Sequence, residues 1–173
     1  MLLERLKNLY LLFRPYLLIV LVLFLCHRAG LRVNISASLP DRIYFVRDLG
    51  EQEIHRGDIV VFNHLRSKNG NLRAAVMRGY LSEHTPMLKK VLAIPGDTVV
   101  LADDGITING LYSGLCILLS ADSYGNTLSA YPTPLTLSAD LYWLTSQPAR
   151  GFDSRYFGPV EREDLTHKAT ALM

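Results

Sequence analysis

Residues 87–110 read MLKKVLAIPGDTVVLADDGITING: three short apolar runs, parted by Pro95-Gly96-Asp97 and Asp103-Asp104-Gly105 and closed by Asn109-Gly110. Runs of this length, rich in branched residues and bounded by turn formers, read as strands. Asn-Gly is the dipeptide that most readily takes up the left-handed conformations of a two-residue hairpin turn. The stretch therefore predicts strands over 87–94, 98–102 and 105–108. Working outward, the same pattern predicts strands over 42–47, 58–62 (entered through Arg56-Gly57), 115–119 and 141–144, and the fold class is mainly β. Residues 122–140 are rich in Ser, Thr, Pro and Gly and read as a long surface insertion, not a linker between domains. Residues 159–167 are expected to form one short helix.

Toward the N-terminus the pattern changes. Residues 9–26 read LYLLFRPYLLIVLVLFLC, interrupted by Arg14 and by Pro15, a residue suited to the first turn of a helix. The unbroken part, 16–26, would cover only about 16 Å of a hydrocarbon core roughly 30 Å thick. Spanning therefore requires residues 10–13 to join the helix, with Arg14 reaching up to the headgroups. A cleaved leader is the competing reading, since Arg5 and Lys7 precede the run, but Cys26-His27-Arg28-Ala29-Gly30 is not a small-residue cleavage site. Bulky Phe24 and Leu25 exclude a lipid-modified Cys26. The expected organisation is a cytoplasmic stub and membrane anchor over 1–32, followed by one domain over 33–173 on the outer side.

The net charge of +2 conceals an uneven distribution: residues 1–32 hold five Lys/Arg against Glu4 alone, while 33–173 hold thirteen against fifteen Asp/Glu. A slightly acidic body without a basic stripe excludes nucleic acid as a partner. Cys26 and Cys116 fall in different segments, so no disulfide is expected and Cys116 reads as a buried, inert thiol. The five histidines form no metal-ligand spacing, and neither metal nor cofactor is expected.

Two segments carry candidate chemistry. Ser36-Ala37-Ser38-Leu39-Pro40 lies just beyond the apolar run, and Lys89-Lys90 sits within the strand over 87–94. A serine hydroxyl is a poor nucleophile unless a base takes its proton, and lysine can do so only when neutral. Burial among apolar side chains favours the neutral amine, and Lys89 has Met87, Leu88, Val91, Leu92 and Ile94 around it in sequence. On a strand Lys89 and Lys90 face opposite ways, and periodicity does not select between them. Taken singly these signals are weak: most dibasic pairs are solvated, and Ser-x-Pro is common in turns. There is no G-x-S-x-G elbow, Gly110-Leu111-Tyr112-Ser113-Gly114 has the wrong spacing, and nothing favours one histidine for a Ser-His-Asp triad.

The order of the segments says more. An N-terminal anchor, Ser-x-Ser-Leu-Pro, Arg56-Gly57-Asp58-Ile59-Val60-Val61-Phe62, Lys89-Lys90-Val91-Leu92-Ala93-Ile94-Pro95-Gly96-Asp97, Ile108-Asn109-Gly110 and Asp153-Ser154-Arg155-Tyr156-Phe157-Gly158 together resemble the type I signal peptidases. Within them the chain is most similar to the conjugative-transfer peptidases of the TraF type, over about residues 10–165. The resemblance implies Ser38 as nucleophile and Lys89 as general base and later acid, with Lys90 in a surface or structural role. It implies Ser36 and the Ser38 backbone N–H as oxyanion donors, Asp153 as a supporting residue and Arg155 as its structural partner. Thr145-Ser146-Gln147 and Gly151 stand where the housekeeping enzymes carry a Gly-Asp-Asn run and a serine that orients the lysine, which leaves Ser146 and Ser154 as unranked candidates for that task.

The implied protein is a signal-peptidase-like β domain on an N-terminal transmembrane helix in the bacterial inner membrane, with its catalytic domain in the periplasm. Its implied partners are a propilin or other exported preprotein and the conjugative transfer apparatus. The resemblance also implies that an acyl-enzyme ester is released by water or captured by the pilin's own amine, and these residues do not choose between the two. A general type I signal peptidase, a non-catalytic membrane-anchored scaffold for pilus assembly and a soluble Ser-Lys autoprotease of the repressor type are the alternatives.

Overall fold

The computed structural model describes residues 2–34, 39–103, 105–146 and 151–172. It opens with helix α1 (Leu2–Arg28), within which Leu9–Arg28 has a mean hydropathy of 2.4 and no buried residue. Among the described residues this is the one helix long and apolar enough to cross a membrane. Residues 10–13 and Arg14 do join it, as spanning requires, but Pro15 lies inside the helix and not in its first turn. Apolar residues on both sides of Pro15 favour continuing the helix, because in lipid the backbone has no water to bond to and must satisfy itself.

After α1 the chain forms short strands: β1 (Leu31–Val33), β2 (Ile43–Asp48), β3 (Ile59–Phe62), β4 (Met87–Ala93), β5 (Thr98–Ala102), β6 (Gly105–Ile108), β7 (Leu111–Gly114), β8 (Leu135–Thr136), β9 (Leu141–Thr145), β10 (Val160–Glu161) and β11 (Leu165–Ala171). They make two antiparallel sheets, one ordered β1-β2-β11-β3-β4-β9-β10 and the other β7-β6-β5-β8. Short helices α2 (Gly70–Met77) and α3 (Ser154–Phe157) complete the body. The mainly β class read from the sequence is the observed one.

Alternation sets the core. Along β4, Lys89, Val91 and Ala93 point inward and their neighbours stay partly exposed. Val60, Phe62, Val91, Leu144, Phe157 and Val160 form the principal cluster, each worth about 1.5–3 kcal/mol when fully buried. Trp143, Val99, Ile108, Leu137 and Cys116 form a second, so Cys116 is buried as expected. Leu39, Tyr44 and Ala169 form a third, on which Ile59 and Leu88 pack.

The structure corrects two elements. No strand runs over 115–119; the strand is β7, because Asn109 and Gly110 take φ values of 54° and 79° and turn the chain straight back on β6. No α-helix forms over 159–167, where β10, a single 3-10 turn (Arg162–Asp164) and the start of β11 stand instead. β11 inserts between β2 and β3, with Ala169 opposite both Val46 and Ile59, and these non-local partners override the local helical reading. Helix α2 has no counterpart among the expected elements; the Asn69 carboxamide caps it by accepting a hydrogen bond from the Asn71 N–H at 2.9 Å.

Candidate active site

Three segments meet at the amine of Lys89. β4 supplies the lysine, and the register that sets Lys90 opposite Thr145 brings the end of β9 alongside it. Ser146 follows β9 directly, and the chain returns through Phe152 and Asp153 into α3. The Lys89 side chain is 4% exposed, and its Nζ donates to Ser146 Oγ at 2.5 Å and to the Phe152 carbonyl at 3.0 Å.

Ser146 is itself held in place. Its backbone N–H donates to Asp153 Oδ2 at 2.8 Å. Asp153, fully buried, caps α3 by accepting the Arg155 N–H at 3.1 Å and is gripped by the Arg155 guanidinium, with Nε to Oδ1 at 2.7 Å and Nη2 to Oδ2 at 2.8 Å. Arg155 also donates to the Gly151 carbonyl at 2.7 Å and to that of Ile117 at 3.5 Å. Such a two-pronged contact fixes both partners in orientation. Of the two serines left unranked by the sequence, Ser146 reaches the lysine, whereas Ser154 Oγ accepts the Leu144 N–H at 2.9 Å and so supports β9.

Burial pushes the Lys89 ammonium below the ordinary lysine range; the Asp153 charge opposes this and the Arg155 charge adds to it. Pairing with Arg155 lets Asp153 anchor Ser146 while much of its pull on the lysine is cancelled. The shift is toward the neutral form, which carries two N–H donors and one lone pair. Both donors are taken, by Ser146 Oγ and the Phe152 carbonyl, so the lone pair is the one position left to accept a proton. Lys90 sits on the opposite face of β4 and is partly exposed.

Lys89, Asp153 and Arg155 are thus brought into one connected network. Ser36 and Ser38 lie outside the described residues. Leu39, next in the chain after Ser38, is 4% exposed and shares the third cluster with Leu88, the residue before Lys89. The Phe152 carbonyl was missed by sequence reasoning because a backbone acceptor leaves no residue-type signal.

The remaining motif segments frame β4 and do not reach its amine. Asp97 accepts from Arg56 Nε at 2.7 Å, from the Ile94 N–H at 2.9 Å and from Asn109 Nδ2 at 2.9 Å, and Arg56 Nη2 closes the pair. Bonding to Arg56, above all, holds the Asp97 carboxyl down at about 2 despite its burial. Segments 56–58, 95–97 and 108–110 so converge on one carboxylate at the junction of the two sheets.

A family model described as "Signal peptidase, peptidase S26" matches residues 6–173. The chain is 31% identical over 147 residues to the plasmid transfer protein TraF of Escherichia coli, covering 80% of each, and 32% identical over 142 residues to the conjugal transfer protein TraF of Agrobacterium fabrum, covering 79% of this chain and 78% of that one. A crystal structure of a signal peptidase I from Enterococcus faecalis superposes with a TM-score of 0.41 at 23% identity, over 66% of this chain and 94% of that one. By the extent of the family match and the identity to the TraF proteins, this chain belongs to the signal peptidase family, peptidase S26.

Proposed function

We propose that the chain is a membrane-anchored serine endopeptidase in which Ser38 is the nucleophile and Lys89 the general base. The observation that carries this reading is the buried Lys89 amine, its acidity raised by burial and its two N–H groups occupied by Ser146 Oγ and the Phe152 carbonyl. A buried lysine with no charged group in direct contact disfavours folding and needs another reason to be kept. This counts against a non-catalytic scaffold, in which that side chain would be free to be apolar or solvated.

In the proposed reaction the Lys89 lone pair takes the Ser38 hydroxyl proton as its oxygen attacks the scissile carbonyl. The oxyanion is met by the Ser38 N–H and the Ser36 hydroxyl. Lys89 then returns the proton to the departing amine, leaving an ester on Ser38. Water attacks that ester, Lys89 accepting its proton, and the carboxylic product leaves as Ser38 is restored. If an amine of the product attacks instead, an amide forms and no water is consumed. Asp153 acts through Ser146, and Arg155 through Asp153.

The substrate in this reading is a propilin or other exported preprotein of a conjugative transfer apparatus, supported by the similarity to proteins named for plasmid and conjugal transfer. Residues 1–32 form the stub and anchor, and residues 33–173 the catalytic domain on the periplasmic side of the inner membrane. The test is co-expression of the chain, Ser38→Ala and Lys89→Ala with the cognate propilin, reading product mass on the intact protein. Loss of processing in both variants is expected, and full processing by either overturns the dyad. A wild-type product one water lighter than the linear cleaved peptide identifies capture by an amine.

A further inference from the structure

We propose that Asp122 and Tyr80 are positioning residues for the Lys89 amine, acting through the Phe152 carbonyl, and that the insertion carrying Asp122 braces the catalytic base. This deepens the proposed Ser38–Lys89 reading and rests on it. The Phe152 carbonyl takes one of the two N–H donors of Lys89, so whatever sets the plane of that peptide also sets where the lone pair points.

One side of the peptide is fixed by Asp153. The other constraint is the Phe152 ring, which stacks on Tyr156 with centroids 5.3 Å apart and planes at 5°, and meets Tyr80 at 5.0 Å and Phe157 at 5.9 Å. Both tyrosines are tied by their phenol oxygens to the chain between β7 and β8, Tyr80 to the insertion and Tyr156 to the segment leading into it. Tyr156 Oη accepts the Leu119 N–H at 2.9 Å, and Tyr80 Oη donates to Asp122 Oδ2 at 2.5 Å.

Asp122 is a firm anchor for this purpose. It also accepts the Tyr124 N–H at 2.9 Å and, both at 2.8 Å, the Asn126 N–H and Nδ2. The Tyr80 hydroxyl, ahead of the Asn126 side chain, holds its carboxyl down at about 2, so it stays ionised wherever activity is measured. Two further bonds bind the chain between β7 and β8 to the segment after Phe152: the Tyr131 N–H donates to the Arg155 carbonyl at 2.6 Å, and Arg155 Nη1 reaches the Ile117 carbonyl. A free surface insertion needs none of these ties. The chain between β7 and β8 holds a three-ring cluster from both ends, and the middle ring belongs to the residue whose carbonyl orients the base.

Cutting the link at Tyr80 releases the outer ring, loosens Phe152 and admits water to the amine, which strengthens the ammonium form. The charges that act on Lys89 come from Asp153 and Arg155, and neither is touched by Tyr80→Phe or Asp122→Ala. The experiment follows Lys89 Nζ directly. The full chain, with five lysines, is prepared in detergent micelles with 15N-labelled lysine, and the Lys89 signal is identified by its loss in Lys89→Arg.

The Nζ titration midpoint of Lys89 is expected to move upward in Tyr80→Phe and in Asp122→Ala, and the double variant to match Asp122→Ala, since both single changes break the Tyr80–Asp122 hydrogen bond and Asp122→Ala also frees the Tyr124 and Asn126 donors. Processing of the cognate preprotein at neutral pH then falls by roughly threefold to tenfold, with the acid limb of its pH profile moved by the same amount as the titration. Midpoints unmoved in both singles, or displacements that add in the double variant, overturn the proposal. Because the titration needs no turnover, it reads the brace even where Ser38→Ala and Lys89→Ala show the dyad to be wrong.

Discussion

Replacing Ser146 by alanine isolates the geometric part of the mechanism. The wild-type amine is held at two points, Ser146 Oγ at 2.5 Å and the Phe152 carbonyl at 3.0 Å, and Ser146→Ala leaves only the second. With one tether the group turns about its terminal bond among three staggered positions, and only one aims the lone pair as before, a loss of about threefold. The hydrogen bond itself contributes about 1 kcal/mol, a factor of about five. Together these amount to about 1.6 kcal/mol, so kcat is expected to fall roughly fifteenfold. The lost contact is to the base and not to the peptide, so KM should stay within about twofold. Ser146→Thr keeps the hydroxyl and should lose no more than about threefold, one rotamer choice. Initial rates on the cognate preprotein, quenched and read by intact mass across a range of substrate concentrations, separate the two constants. A wild-type kcat in Ser146→Ala, or a loss carried wholly by KM, refutes the reasoning.

Lys89→Met should abolish processing yet melt no lower than the wild type by circular dichroism, because an apolar side chain of similar length removes the burden of a buried amine. The folded-state pKa of Lys89 is lowered, so the unfolded chain takes up its proton first as pH falls; the advantage of Lys89→Met should widen toward acid pH, and a narrowing overturns the assignment. Asp97→Asn should destabilise by about 2 kcal/mol at neutral pH, since the carboxyl is lowered from 3.8 to about 2. That contribution is complete above 3.8 and vanishes as pH falls through about 2, so denaturant midpoints of the two proteins should converge there. Asp164 is 1% exposed, and burial raises its pKa against the opposing pull of the Ser67 side chain and the Glu161 backbone. The sign is therefore opposite: Asp164→Asn should match the wild type well below the ordinary carboxylate range and become the more stable of the two as pH rises through the folded value, and equal melting at neutral pH counts against a carboxyl raised by burial.

The stretch over 87–110 was legible because each of its strands carries its own apolar run and its own turn residues. β11 was not: Leu165-Thr166-His167-Lys168-Ala169 becomes an interior strand only because β2 and β3 lie on either side of it. The same distinction runs through the site. That one of Lys89 and Lys90 is buried follows from strand geometry, but which one depends on phase. The phase is set by β3, where Val60, in the core, stands opposite Lys89 and the partly exposed Ile59 opposite Lys90. Ser146 and Ser154 looked alike in sequence; what separates them is that one follows the end of β9 while the other is the first residue of α3, facing the strand's backbone. Tyr80 and Asp122, forty-two positions apart, carried no shared signal at all.

Why the proposed lysine base would need so much of the chain follows from the electrostatics. A desolvated amine is neutral only while no uncompensated anion lies beside it, yet the serine that orients it must itself be anchored, and a carboxylate is the strongest acceptor for that serine's N–H. Asp153 meets the second need and threatens the first. Arg155 reconciles the two: held 4% exposed against a fully buried partner, it cancels much of the Asp153 field while its own positive charge pushes the lysine further toward neutrality. A guanidinium brought into the interior needs its other donors met, and the Gly151 and Ile117 carbonyls meet them. The last of these belongs to the segment leading into the insertion. The chain proposed to brace Phe152 through its rings is thus the same chain that helps make a buried arginine tolerable.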